Sequence, residues 1–119
     1  MKRSALRRRS RRRGSDSAAN SGREVWKTPR KGFCAVCGRY GWLVRHHVLY
    51  QQHVRREGGD VWALSNAMDL GRDCNCHAAH HSGFKRIPVD VIPSAAMDFM
   101  VRLLGDDRAQ LFVERYYRT

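Results

Sequence analysis

The sequence predicts a small α+β domain in which a metal-clipped β-hairpin and a short helix come first and two amphipathic helices close the chain. Three observations predict it. All four cysteines and all six histidines fall within residues 33–83, in the order Cys34-x-x-Cys37, His46-His47, His53, Cys74-x-Cys76-His77-x-x-His80-His81. The apolar pattern changes from a β-branched and aromatic run at residues 42–48 to helical spacing after Ser94. The 119 residues leave room for one domain with little core to spare, so a metal staple has a clear use.

Charge divides the chain. Residues 1–23 hold nine basic side chains against Asp16, which accounts for +8 of the formal +12. The segment is rich in Arg and Ser, then small and polar from Gly14 to Gly22, and has almost nothing to bury. It reads as a disordered basic arm, with residues 24–119 as the folded domain. Arg7, Arg8, Arg9, Arg11, Arg12 and Arg13 are its candidate nucleic-acid contacts, because cations laid on phosphates release condensed counterions. The charge-dense start lacks the apolar core of a secretory leader, and no apolar run is long enough to span a bilayer. An intracellular, reducing setting is therefore expected, where paired cysteines bind metal more often than they form disulfides.

Along the folded part, Trp26 is expected to pack on the core, and Pro29 with Gly32 marks irregular backbone leading into Cys34. The turn around Gly38 and Gly41 suits a knuckle in which two thiolates converge on one ion. Residues 42–48 read as a strand that ends at His46 and His47 on opposite faces. A polar connection over residues 49–66 follows, anchored by Val54, Trp62 and Leu64. Residues 67–70 supply the second strand. Asn75 or Asp73 then caps a helix over residues 76–82, ended by Gly83, with His77 and His81 one turn apart on one face. Residues 87–93 are extended between prolines. Ser94 caps a helix over residues 95–104 with a stripe of Met97, Met100, Val101 and Leu104. After Gly105, Asp106 or Asp107 caps a last helix that packs through Leu111, Phe112 and Tyr116.

Two chemistries follow. Four thiolates in two distant pairs, Cys34 and Cys37 with Cys74 and Cys76, suit a tetrahedral structural zinc. Separately, one imidazole from the strand and one or two from the helix can converge on a divalent ion with open positions. An adjacent unligated histidine can then take a proton from water. His53 and His80 are read as solvent-exposed or supporting groups. Arg45, Arg55, Arg56, Arg72, Lys85 and Arg86 are candidate phosphate contacts in the domain.

The order Cys-x-x-Cys, His-His-Val, Asn, Cys-His-x-x-x-His resembles the HNH endonucleases over residues 33–83, and the size and basic arm resemble the small phage-type members. The resemblance implies a ββα-metal finger with a Cys zinc-knuckle and two supporting C-terminal helices over residues 94–117. It implies a DNA-hydrolysing enzyme in which His47 is the general base, leaving 5′-phosphate and 3′-hydroxyl ends. His46 and His77 are then metal ligands, with His81 a further one. Asn66 joins the catalytic group, as a brace of the loop or a contact to the metal. The catalytic ion is Mg²⁺, Mn²⁺, Ni²⁺, Co²⁺ or Zn²⁺. DNA and phage DNA-packaging proteins are the implied partners, in the cytoplasm, that of a host for a phage-encoded chain. The family's register puts Asp73 where a cysteine is usual, so either Asp73 or Cys74 completes the zinc site. The alternative is a non-catalytic zinc-binding nucleic-acid module.

Overall fold

The computed structural model describes residues 22–119. Residues 22–27 form helix α1. Strands β1 (Arg30–Phe33) and β2 (Tyr40–His47) follow, then helix α2 (Gln51–Arg56) and strand β3 (Ala67–Gly71). Helices α3 (Cys76–Ser82), α4 (Ser94–Leu104) and α5 (Asp106–Tyr116) complete the fold. The strands form one antiparallel sheet in the order β1-β2-β3, and a cluster of four cysteines that could hold a metal sits beside it. This is the small α+β architecture expected. Among the described residues no helix is long and apolar enough to cross a membrane.

The sheet is larger than the hairpin read from the sequence. Residues 30–33, expected to be irregular, pair with the first half of β2, Lys31 opposite Trp42 and Phe33 opposite Tyr40. Gly32 lies opposite Gly41, and the Leu43 side chain fills the space a Cβ at residue 32 would take. The other half of β2 pairs with β3, His46 opposite Met68 and Val44 opposite Leu70. Strand β2 is thus central, and its two histidines project to opposite faces.

The connection over residues 49–66 is also more structured than expected. It contains α2, which buries Val54, and a 3₁₀ turn at Leu64–Asn66. Leu64, expected as an anchor, is half exposed, and Trp62 is partly buried; Val54, also expected, is buried together with Leu49 and Val61. In the C-terminal pair, α4 buries Ala96, Phe99 and Met100, while Met97, Val101 and Leu104 are only partly covered. Helix α5 buries Ala109, Phe112 and Val113, and Leu111 points to solvent. A stripe at 109, 112, 113 follows the helical period; Leu111 lies off it.

The expected caps differ too. Ser94 and Asp106 lie inside their helices, which start after Pro93 and Gly105, and no side chain caps them. Asn75 holds the N-cap position of α3 in a left-handed conformation (φ 65°), without a side-chain cap bond; Gly83 ends the helix at φ 80°. At the N-terminal end, Gly22 and Arg23, assigned to the arm by composition, begin α1. The rest of the arm, Arg7 to Arg13 included, lies outside the described residues.

Candidate metal centres

Two clusters of metal-ligating side chains stand on the fold. In the first, sulfur atoms of Cys34, Cys37, Cys74 and Cys76 lie within 4.8 Å of one another. The turn between the first pair closes through the Gly38 N–H donating to the Cys34 carbonyl (2.9 Å), with Gly38 at φ 75°. The Ala35 N–H donates to the Asp69 carbonyl (2.9 Å), which lays this turn against β3. The second pair leaves the end of β3. There Gly71 is required: a Cβ would sit 2.6 Å from the Cys74 Sγ. Cys74 belongs to the cluster, whereas Asp73 is exposed beside Arg72. Burial alone would push the Cys34 thiol up. Hydrogen bonds from the Cys37, Gly71 and Val36 backbone and from the Cys74 thiol outweigh it and bring Cys34 down to about 6. Burial and its three thiol neighbours push Cys76 far up. One thiolate is favoured and further negative charge is resisted, which is the behaviour of a donor set that needs a cation to ionise fully.

The second cluster is His46, His77 and His81, whose ligand nitrogens also lie within 4.8 Å of one another. Strand β2 supplies His46, and α3 supplies the other two, one helical turn apart. Hydrogen bonding fixes the His46 tautomer. Tyr117 has one hydroxyl hydrogen, and it goes to the Val48 carbonyl (2.6 Å). The contact between His46 Nε2 and the Tyr117 oxygen (2.9 Å) must therefore be donated by Nε2–H. The lone pair is left on Nδ1, a buried atom with no protein partner. A buried unpaired acceptor is costly unless something fills the position, and an ion bound by the three imidazoles would do so. His77 and His81 bring their Nε2 atoms to 3.1 Å. Two nitrogens on one ion at bonds of about 2.1 Å stand roughly 3.0–3.4 Å apart, so the spacing suits shared coordination. Burial first, and then neighbouring histidines, brings His46 down to about 2; burial and then His81 lower His77, and burial lowers His81. All three shifts favour the neutral imidazole, the form that ligates.

His47 faces the other way. Its ring stacks on Trp26 at 4.0 Å and its Nε2 contacts the Val61 carbonyl at 3.0 Å. A carbonyl only accepts, so Nε2 carries the hydrogen and Nδ1 is free to take a proton. Burial, with lesser help from Arg55 and His77 and against the Val61 carbonyl, lowers it to about 4. His47, His77 and His81 line one cleft of about 420 Å³ together with Arg45, Tyr50, Gln51, Gln52 and Arg55.

The remaining expected site residues take other places. Asn66 is fully buried and does not line the cleft. Its Oδ1 accepts from the Leu49 N–H and its Nδ2 donates to the Leu49 carbonyl, both at 2.9 Å. Of the two roles left open for it, the structure gives the brace, tying the segment after the histidine pair to the start of β3. Arg45 donates to the Val25 and Trp26 carbonyls at 2.7 Å, so its guanidinium secures the end of α1. Arg72 and Lys85 are exposed and lie outside the cleft. His80, far from being exposed, is buried: its Nδ1 accepts from the Ile87 N–H (3.0 Å) and its Nε2 donates to the Tyr50 hydroxyl (2.7 Å). Both nitrogens are committed, which keeps it out of the ligand set. His53 is half buried against Phe112 and Tyr116 of α5, outside the cluster.

Sequence reading missed Tyr117 and Val61. Tyr117 reaches His46 across 71 positions and Val61 acts through its backbone carbonyl, so no local motif marks them. Arg55, a candidate phosphate contact, lines the cleft. Compared with protein-family models, curated proteins and solved structures, the chain finds no match.

Proposed function

We propose that the protein is a metal-dependent endonuclease of the HNH type, hydrolysing DNA phosphodiester bonds to leave 5′-phosphate and 3′-hydroxyl ends. The observation that carries the reading is the pairing of a three-imidazole cluster with an adjacent, unligated histidine whose Nδ1 is free and whose Nε2–H is tied to a backbone carbonyl. His46, His77 and His81 would hold a divalent ion, which would supply charge neutralisation at the scissile phosphate and the departing oxygen. His47 takes the proton of the attacking water on Nδ1, and the Val61 carbonyl keeps that atom aimed by holding Nε2–H. Trp26, stacked face to face, favours the imidazolium that results. Arg55 on the cleft wall holds a flanking phosphate. Asn66 and Tyr117 position the two histidines without touching substrate.

At the cysteines we assign zinc, since a closed set of four soft thiolates selects it over harder ions. The imidazole set favours Mn²⁺, Ni²⁺, Co²⁺ or Zn²⁺ over Mg²⁺. The basic arm acts as a DNA tether, and the same reading implies a cytoplasmic setting, with packaging proteins as partners for a phage-encoded chain. The test is nicking of supercoiled plasmid by protein freed of loosely held ions, with each divalent ion restored in turn. Ion-dependent nicking with ligatable 5′-phosphate ends is expected. A folded, zinc-loaded, DNA-binding protein that cuts under none of the ions would make it a non-catalytic module instead.

A further inference from the structure

Burial along one face of β2 is graded. Tyr40, Trp42, Val44 and His46 alternate onto the same face, and exposure falls from 60% at Tyr40 and 40% at Trp42 to 1% at His46. The His46 end is covered by α3 and Tyr117, while the far end of the β1–β2 ribbon stays open. On that open end the direct cross-strand partners are Phe33 with Tyr40 and Lys31 with Trp42. The Phe33 and Tyr40 rings meet edge to face at 5.1 Å, and Phe33 is 68% exposed. The Lys31 Nζ lies 5.0 Å from the Trp42 ring centre and the Arg72 guanidinium 6.0 Å from it. Three exposed aromatics on one face, with Lys31 and Arg72 over Trp42, are more than a hairpin needs, since a cross-strand pair contributes only about 0.2–1 kcal/mol.

We propose that this open ribbon binds unpaired bases of a nucleic-acid strand, which stack on Phe33, Tyr40 and Trp42 while Lys31 and Arg72 hold the backbone. Charge complementarity favours this occupant over an apolar protein surface, and stacking explains why the rings are exposed. The proposal rests on the nucleic-acid substrate class above but not on cleavage.

The test is fluorescence anisotropy of the full chain, in a His47→Ala background, with a labelled 12-nucleotide oligothymidylate and a 12-base-pair hairpin duplex. Trp42→Ala should weaken the single strand roughly 5- to 100-fold and the duplex less than about twofold, and Trp42→Phe should restore most of the loss. No loss, or equal loss on both probes, would overturn the proposal. Ultraviolet crosslinking of oligothymidylate to the unsubstituted protein needs no variant to fold: crosslinks at Phe33, Tyr40 or Trp42 are expected, and crosslinks confined to other residues would contradict it. A protein that shows this pattern yet nicks no plasmid keeps the ribbon assignment and loses the enzyme.

Discussion

The two clusters differ in closure. The chain supplies four donors at the cysteines, from a turn and from the β3–α3 junction, and Gly71 lets them crowd together. At the histidines it supplies three, and His77 and His81 open onto a cleft that also holds His47. A closed set fixes structure, whereas an open set leaves room for chemistry. Their supports differ accordingly. Backbone groups steady the cysteines, while tyrosine 117 fixes the proton of His46.

That contrast is broken most severely by exchanging one ligand in each cluster. Cys34→Ser should lower the melting temperature by on the order of 15 °C or leave the chain unfolded, since a structural metal's binding energy is folding energy. His77→Ala should move it by no more than about 5 °C and abolish tight binding of the second ion. Equal thermal losses, followed by calorimetry, would mean that both clusters are structural. Gly71→Ala comes next: the added methyl meets the Cys74 Sγ, so metal content should fall at the cysteines alone. Metal analysis showing an unchanged stoichiometry would mean the loop yields without cost.

Tyr117→Phe sharpens the comparison. It leaves His46 Nε2–H and the Val48 carbonyl without their partner, which should cost about 1–3 kcal/mol in a urea melt. Affinity at the histidine cluster should drop roughly 10- to 100-fold while the cysteine site stays loaded. A uniform loss at both sites would reduce Tyr117 to a packing residue.

The smallest effect is in pH. Burial, then His81, His77 and Arg86, lowers His80 to about 4, and the Tyr50 hydroxyl sits against its Nε2. The unfolded chain takes this proton first, near pH 6.5. The contribution is full above that value and is lost as pH falls toward 4, by about 2 kcal/mol between pH 7 and 5. His80→Gln should flatten that slope in denaturant titrations; an unaltered slope would place the proton elsewhere.

Much of this was legible locally. Cysteine spacing, the adjacent pair His46-His47 and the one-turn offset of His77 and His81 announce their clusters without tertiary knowledge. Strand β1 was not, because Arg-Lys-Gly-Phe has too few apolar residues to show alternation and is set by pairing with β2. Helix α2 buries only Val54, so its pattern is nearly silent. Leu111 outranks Val113 in size but lies off the buried stripe, which is decided by where α4 packs. The roles of Asn66 and Arg45 turn on hydrogen bonds 17 to 20 residues away.

The most direct measurement pairs single-turnover cleavage with metal-binding calorimetry for the native chain, His47→Ala and His77→Ala. The account predicts that His47→Ala binds the ion and DNA as the native chain does and cuts at least about 100-fold more slowly, while His77→Ala loses ion and cleavage together. Native-rate cleavage by His47→Ala would contradict it.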